Sequence, residues 1–179
     1  MLDLRNKQKG FTLAELLVSL GLLGVIAPIV MSFFITSLKN YESINNRLEL
    51  QFQAQYILDF MSDKILESRY IELARENIVS LLKKTNEQNI TKISFRYGDN
   101  VNQCYNFEIN KGKIKYGNAR SNAIPTDELG IYVKNLTATP INGEQFEDTN
   151  AIIIKITLEK GSQIYEAEQM MYMRNYEMK

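Results

Sequence analysis

The sequence has no histidine, no tryptophan and only one cysteine among its 179 residues. Without histidine the chain lacks the side chain that most often serves as a general base or a metal ligand. Its lone Cys104 cannot form an internal disulfide, and we interpret it as a small buried apolar residue. The acidic loop at 144–148 lacks the spacing of a calcium-binding loop. We therefore predict no catalytic residue, no metal site and no cofactor, and we do not expect an enzyme.

The chain also has little net charge, because 21 basic side chains balance 21 acidic ones. The first ten residues hold three basic side chains and one acidic side chain, a net charge of +2, so the remainder carries −2. A mildly acidic product has no general electrostatic attraction to nucleic acid. No nucleic-acid partner is therefore expected. The length suits one domain with a proper core.

Charge is almost absent from residues 11–38, FTLAELLVSLGLLGVIAPIVMSFFITSL, where Glu15 is the only charged residue. A helix of this length rises about 42 Å, and a bilayer core needs only about 20 apolar residues. Basic residues before the segment predict that residues 1–10 stay in the cytoplasm and that the C-terminus lies outside. The segment is too long for an ordinary secretory signal. A plain transmembrane anchor stays open as an alternative, but it leaves a carboxylate in lipid unexplained.

Residues 9–20, KGFTLAELLVSL, resemble the class III signal of type IV prepilins and type II secretion pseudopilins. In that signal a short basic leader ends in glycine, then come phenylalanine and Thr-Leu, with glutamate at the fifth mature position. The resemblance implies that a prepilin peptidase cleaves after Gly10 and methylates the new amine of Phe11. It also implies that Glu15 meets the Phe11 amine of a neighbouring subunit during assembly. A free α-amine is largely cationic at neutral pH, and burying the ion pair costs less than burying either charge alone.

After a long helix, the C-terminal part contains in order FEI at 107–109, GKIKY at 112–116, YVKNL at 132–136 and YMRN at 172–175. This order is similar to that of PilW-type minor pilins and J-type minor pseudopilins, which lie at filament tips. The resemblance implies a structural subunit that is held as a single-pass protein in the cytoplasmic membrane, with its head outside. The subunit then joins a cell-surface or envelope filament. The implied partners are the prepilin peptidase, other major and minor pilins or pseudopilins, the inner-membrane assembly platform, and the lipid bilayer before assembly. The alternative is a filament-borne binding module, either an adhesin or a DNA-uptake pilin.

Three helix-weakening residues, Gly21, Gly24 and Pro28, interrupt the apolar segment. Proline lacks an amide hydrogen, and its ring crowds the carbonyl four residues earlier, so a helix kink is predicted there. The alternative is a surface for close packing of helices.

After Leu38 the pattern becomes amphipathic, which predicts one continuous helix from about Phe11 to about Glu67. Residues 39–68 are then a spine helix, with one apolar face in the core of a head formed by residues 69–179. The apolar residues expected on that face are Leu48, Phe52, Tyr56, Ile57, Phe60, Met61 and Ile65.

The head has the patterns of an antiparallel β-sheet, so the predicted fold is α+β, with a long N-terminal helix packed on the sheet. Residues 77–84 are interpreted as one or two helical turns, and 70–73 as a short strand. The run of isoleucines in 152–154 predicts the central strand. The predicted strands from residue 91 onward are 91–97, 103–110, 113–116, 130–139, 151–159 and 164–173.

Overall fold

The computed structural model of the chain describes residues 11–177 and confirms the α+β architecture. One long helix, α1 (Leu13–Leu66), precedes two antiparallel sheets, and its bounds lie within two residues of those predicted. The chain divides into two compact units, Met1–Ile44 and Asn45–Lys179, and we call the second unit the head. The predicted leader and Gly10 lie outside the described residues.

In the first unit, α1 exposes its apolar side chains along its whole length, and none of them is buried. The helix is long and apolar enough to cross a membrane by length and composition. It continues through Pro28 without a break in helical assignment. A kink at that residue therefore stays a prediction.

The described part of the head, residues 45–177, contains ten strands in two antiparallel sheets. The larger sheet has the order β2-β1-β4-β5-β6-β7, and the smaller sheet has the order β10-β9-β8-β3. A single 3-10 turn, Ile141–Gly143, follows β8. The strands are β1 (Tyr70–Glu76), β2 (Val79–Ser80), β3 (Gln88–Asn89), β4 (Lys92–Arg96), β5 (Cys104–Asn110), β6 (Lys113–Ala119), β7 (Asp127–Ile131), β8 (Val133–Pro140), β9 (Ala151–Lys160) and β10 (Gln163–Tyr172).

Two predictions of secondary structure were wrong. Residues 77–84 form no helix, because the chain turns at Asn77, whose φ is 52°, and returns as the short strand β2. The predicted strand 130–139 is two strands in different sheets, separated by Tyr132 with a φ of 66°. A left-handed residue redirects the chain at that point, and a run of good strand formers does not reveal it.

The apolar residues of α1 that are spaced four apart, Leu48, Phe52, Tyr56 and Phe60, predicted the buried face of the helix. The head buries a different face. Ile57, Met61 and Ile65 are buried as expected, but Leu48, Phe52 and Tyr56 are 47%, 70% and 58% exposed. At about 100° per residue, this exposed stripe lies on the far side of the helix from the buried residues. Phe60 is only partly buried. The residues of α1 that contact the core are Leu50, Ala54, Ile57, Leu58, Met61 and Ile65.

The isoleucine-rich strand β9 lies between β10 and β8, so its prediction as an interior strand is confirmed. Its side chains Ile152, Ile154, Ile156 and Leu158 are fully buried. The prediction that Cys104 is buried is also confirmed. Burial raises the pKa of this thiol above its usual value, which makes the residue an unreactive thiol in the folded head.

A charged side chain is buried on the outer face of the larger sheet, where the sequence indicated none. Lys92 is 1% exposed, and its Nζ lies 3.1 Å from Glu108 Oε2. The same Nζ donates a hydrogen bond of 2.5 Å to the carbonyl of Ala123. Beside it, the buried Asn106 amide donates to the carbonyls of Ala119 and Arg120 at 3.2 Å. These contacts hold the loop after β6 against the sheet.

The contact between α1 and β7 gives a test of the packing. A Cβ on Gly130 would lie 2.5 Å from Ile57 Cδ1 and 2.8 Å from its Cγ1. We expect Gly130→Val to lower the free energy of unfolding of the head by about 1–3 kcal/mol, because the core beside Ile57 has no room for the valine side chain. The measurement is urea-dependent thiol labelling of Cys104 in the full-length protein in detergent micelles.

The control is the same change made together with Ile57→Val, which removes the nearest atom. If the contact is the cause, the second substitution reduces the cost of the valine at residue 130. An equal cost in both backgrounds would contradict the packing.

Candidate assembly site

The first turn of α1 is closed by a reciprocal set of hydrogen bonds between Thr12 and Glu15. The backbone N–H and the hydroxyl of Thr12 both donate to Glu15 Oε2, each at 2.9 Å. The amide of Glu15 in turn donates to the Thr12 hydroxyl oxygen at 3.3 Å. This is a capping box, in which Thr12 is the N-cap and Glu15 is the third helical residue. It satisfies two of the donors that a helix N-terminus leaves without partners.

The capping box gives Glu15 hydrogen-bond partners within its own subunit. Residues 11–38 contain no lysine or arginine that could pair with Glu15, but Thr12 supplies two neutral donors from the same chain. The spacing Thr-x-x-Glu before an apolar run is itself the sequence signal of a capping box, so the contact could have been predicted. Glu15 Oε1 has no hydrogen bond within residues 11–177. One carboxylate oxygen therefore stays available.

The surroundings of Glu15 are apolar and open. Phe11, Ala14, Val18 and Leu22 line a shallow groove together with Glu15, and they are exposed. One turn on, the hydroxyl of Ser19 donates a hydrogen bond to the carbonyl of Glu15. The arrangement places the carboxylate of Glu15 at the start of an exposed apolar surface.

The other residues singled out in the sequence lie further along the same helix. Gly21 and Gly24 have open space where a Cβ would stand, so no contact within the described chain requires glycine at either position. Pro28 lies inside α1. The structure thus brings Phe11 and Glu15 to one groove and leaves the three helix-weakening residues without a packing role in the single subunit.

In the head, two polar contacts join the helix segment to the sheets. Tyr105 Oη donates a hydrogen bond of 2.6 Å to Glu67 Oε2 at the end of α1. Burial, and then the contact with Glu67, raise the pKa of Tyr105, so its hydroxyl stays protonated and keeps donating. Lys160 at the end of β9 forms an ion pair of 2.5 Å with Glu49. Both contacts fix the helix on the sheets.

The capping box predicts a measurable effect on the first helical turn. Thr12→Val keeps the backbone but removes the hydroxyl, and a lost cap costs about 1 kcal/mol of helix stability, or about fivefold in a local equilibrium. We expect the amides of the first turn to exchange hydrogen about fivefold faster, measured by NMR on the full-length protein in micelles. Thr12→Ser keeps the hydroxyl and serves as the control. Equal exchange rates in all three proteins would show that the box does not form.

One comparison with known proteins finds a match in this N-terminal segment. A family model described as the prokaryotic N-terminal methylation motif matches residues 5–27, which include Thr12 and Glu15. No curated protein and no solved structure matches the chain. The motif, the capped glutamate and the long apolar helix together support one conclusion. The chain carries the N-terminal signal that is typical of type IV pilin-like precursors, followed by one long apolar helix.

Proposed function

We propose that the chain is a minor pilin or pseudopilin, cleaved after Gly10, methylated at Phe11 and assembled into a type IV pilus or pseudopilus. The observation that carries the proposal is the methylation motif at residues 5–27, which ends within the exposed apolar segment 11–38, where Glu15 is the only charged residue. Such a helix is stored in the bilayer and afterwards packs against other helices in a filament. Its cohesion there comes from close packing of side chains.

The capping box supports an assembly role for Glu15. Both Thr12 donors bind Oε2, so Oε1 can accept a hydrogen bond from outside the subunit. In the proposed filament that donor is the methylated Phe11 amine of the neighbouring subunit. A cationic donor forms a stronger hydrogen bond than a neutral one, particularly in a low-dielectric surrounding. The pair fixes the register between neighbouring helices as well as contributing affinity.

The order of elements in the head supports a place at or near the filament tip. After α1 come the hairpin of β5 and β6 and then the paired strands β8, β9 and β10, the order that resembles PilW-type and J-type minor subunits. Within this proposal the subunit is structural, with the prepilin peptidase, other pilins and the inner-membrane platform as partners. Its head lies outside the cytoplasmic membrane.

Processing is tested by changing the residue before the proposed cut. Gly10→Leu places a bulky side chain at that position, so we expect the full-length precursor to accumulate in cells. Wild-type protein and Gly21→Ala are the controls, since residue 21 lies within the helix with open space around it. The measurement is the apparent mass of the protein on a gel beside an unprocessed standard. Efficient cleavage of the leucine variant would contradict a cut at this bond.

Incorporation is tested at Glu15 itself. Glu15→Val removes the charge and leaves processing intact, and we expect the amount of subunit in sheared filaments to fall by at least about tenfold, the effect of one lost charged hydrogen bond. Ser19→Ala, one turn along the same groove, is the control and keeps normal incorporation. Normal incorporation of the valine variant would overturn the pairing.

A further inference from the structure

The smaller sheet ends in a long strand that has no partner on one side within residues 11–177. β10 pairs with β9 over ten residues and is the last strand of its sheet. The strands at the other sheet edges are shorter, with two residues each in β2 and β3 and five in β7. A long free edge presents a row of unpaired amides and carbonyls, and natural proteins usually protect it.

The hairpin geometry shows which backbone groups of β10 are free. Lys160 and Gln163 flank the two-residue turn, so they form the closing hydrogen-bonded pair. Bonding to β9 then alternates along the strand, and just beyond its end the amide of Met173 donates to the carbonyl of Asn150 at 2.9 Å. The odd-numbered residues therefore bond to β9. The residues whose backbone groups point away from β9 are Ile164, Glu166, Glu168, Met170 and Tyr172.

Most of the usual protections against edge pairing are absent from β10, where two glutamates are the only charged residues. Its sequence, QIYEAEQMMY, contains no proline, glycine or lysine. Its pairing with β9 has no register shift, whereas the pairings β1–β4, β6–β7 and β8–β9 each have one. Ile164, Met170 and Tyr172 are about half exposed on the outer face. This edge has the length, flatness and side chains that favour pairing with another strand.

The opposite face of the same edge is open to side chains from a pairing strand. A groove separates β10 from α1, and side-chain amides and a carboxylate form much of its lining. Such groups can hydrogen-bond a polar or basic side chain that projects from an added strand. The residues that line the groove are Gln51, Gln55, Leu58, Asp59, Tyr165, Ala167, Glu168 and Gln169.

Charge argues against a second copy of this chain as the occupant. In the two longest symmetric antiparallel registers of β10 with itself, either Glu166 faces Glu168 or Glu168 faces its own copy. Like charges directly opposite each other destabilise a strand pair. Lys155 forms an ion pair of 2.7 Å with Glu166 and lies opposite Glu168 in the register, so one lysine balances only one of the two acidic charges and this edge keeps a net negative charge. The acidic edge favours a different, basic strand.

We infer that the free edge of β10 is a strand-addition site for an extended segment of a different filament subunit, with a basic side chain opposite Glu168. The partner adds backbone hydrogen bonds to the even-numbered residues and covers the exposed apolar side chains at both ends of the strand. This inference rests on the proposed function, since it takes its partner from the same filament. It assigns the head an interface of its own, separate from the apolar helix.

The first test removes the backbone N–H of residue 168, which points away from β9. A photoreactive amino acid in place of Met170 is introduced in cells that assemble the filament, in three backgrounds: wild type, Glu168→Pro and Glu168→Ala. Proline lacks the N–H and blocks pairing, whereas alanine keeps it. We expect an adduct with a different filament subunit that is about tenfold weaker with proline than with alanine, because both variants lose the charge and only proline also loses the backbone hydrogen bond.

Two controls accompany this test. Cys104 must stay unreactive toward thiol reagents in the proline variant, which shows that the head is folded. The photoreactive residue placed instead at Ile78, an exposed position in the turn of the larger sheet, should not give the same adduct. An adduct between two copies of this chain, no adduct at all, or an adduct that proline leaves unchanged in a folded head would overturn the inference.

The second test measures the charge preference with synthetic peptides. Fluorescent ten-residue peptides of alternating valine and lysine, or alternating valine and glutamate, are titrated into the full-length protein in micelles. We expect the lysine peptide to bind about tenfold more tightly, and Glu168→Lys to reverse that order, because complementary charge selects the partner. Equal affinities of the two peptides would contradict the inference.

Failure of the strand-addition site can be told apart from failure of the proposed function. The same cell samples report the processing of the N-terminus. One outcome is that the protein is cleaved before Phe11 and enters filaments while proline at residue 168 leaves the yield of the Met170 adduct unchanged. In that case only the strand-addition site is wrong. If the chain is never cleaved or incorporated, the proposed function is wrong.

Discussion

The carboxylate of Glu15 is the constraint on which the rest of the molecule depends. It is the only charge in residues 11–38, and a charge in an apolar setting needs partners. The capping box with Thr12 provides two of them within the subunit and uses one oxygen, Oε2. In the proposed filament the other oxygen, which has no hydrogen bond within residues 11–177, accepts the amine of a neighbouring subunit.

The head has its own incompletely covered surfaces. The stripe of Leu48, Phe52 and Tyr56 is exposed on α1, and the long edge of β10 has no strand beside it. By contrast, the contact of Ile57 with Gly130 and the ion pair of Glu49 with Lys160 fix the helix firmly on the sheets. A rigid head with open edges is typical of a protein that works as one part of an assembly.

Local patterns predicted much of this fold, while long-range placement escaped them. The long helix, the hairpin at Gly112 and the buried strand β9 follow from periodicity and turn residues, and the motif at residues 9–20 lies within the family match at residues 5–27. Apolar residues spaced four apart do not reveal which side of a helix the head covers. The prediction that Phe52 lies in the core was therefore wrong. The burial of Lys92 and the free edge of β10 depend on strands far apart in the chain, and no single segment carries that information.

The most direct test of the account is the N-terminus of the protein recovered from cells, determined by mass spectrometry. Glu15 can meet a neighbour's amine only if the chain is cut just before Phe11. The account predicts that the mature chain begins with N-methylated Phe11. A mature chain that still begins at Met1, or that begins beyond the apolar segment, would contradict it.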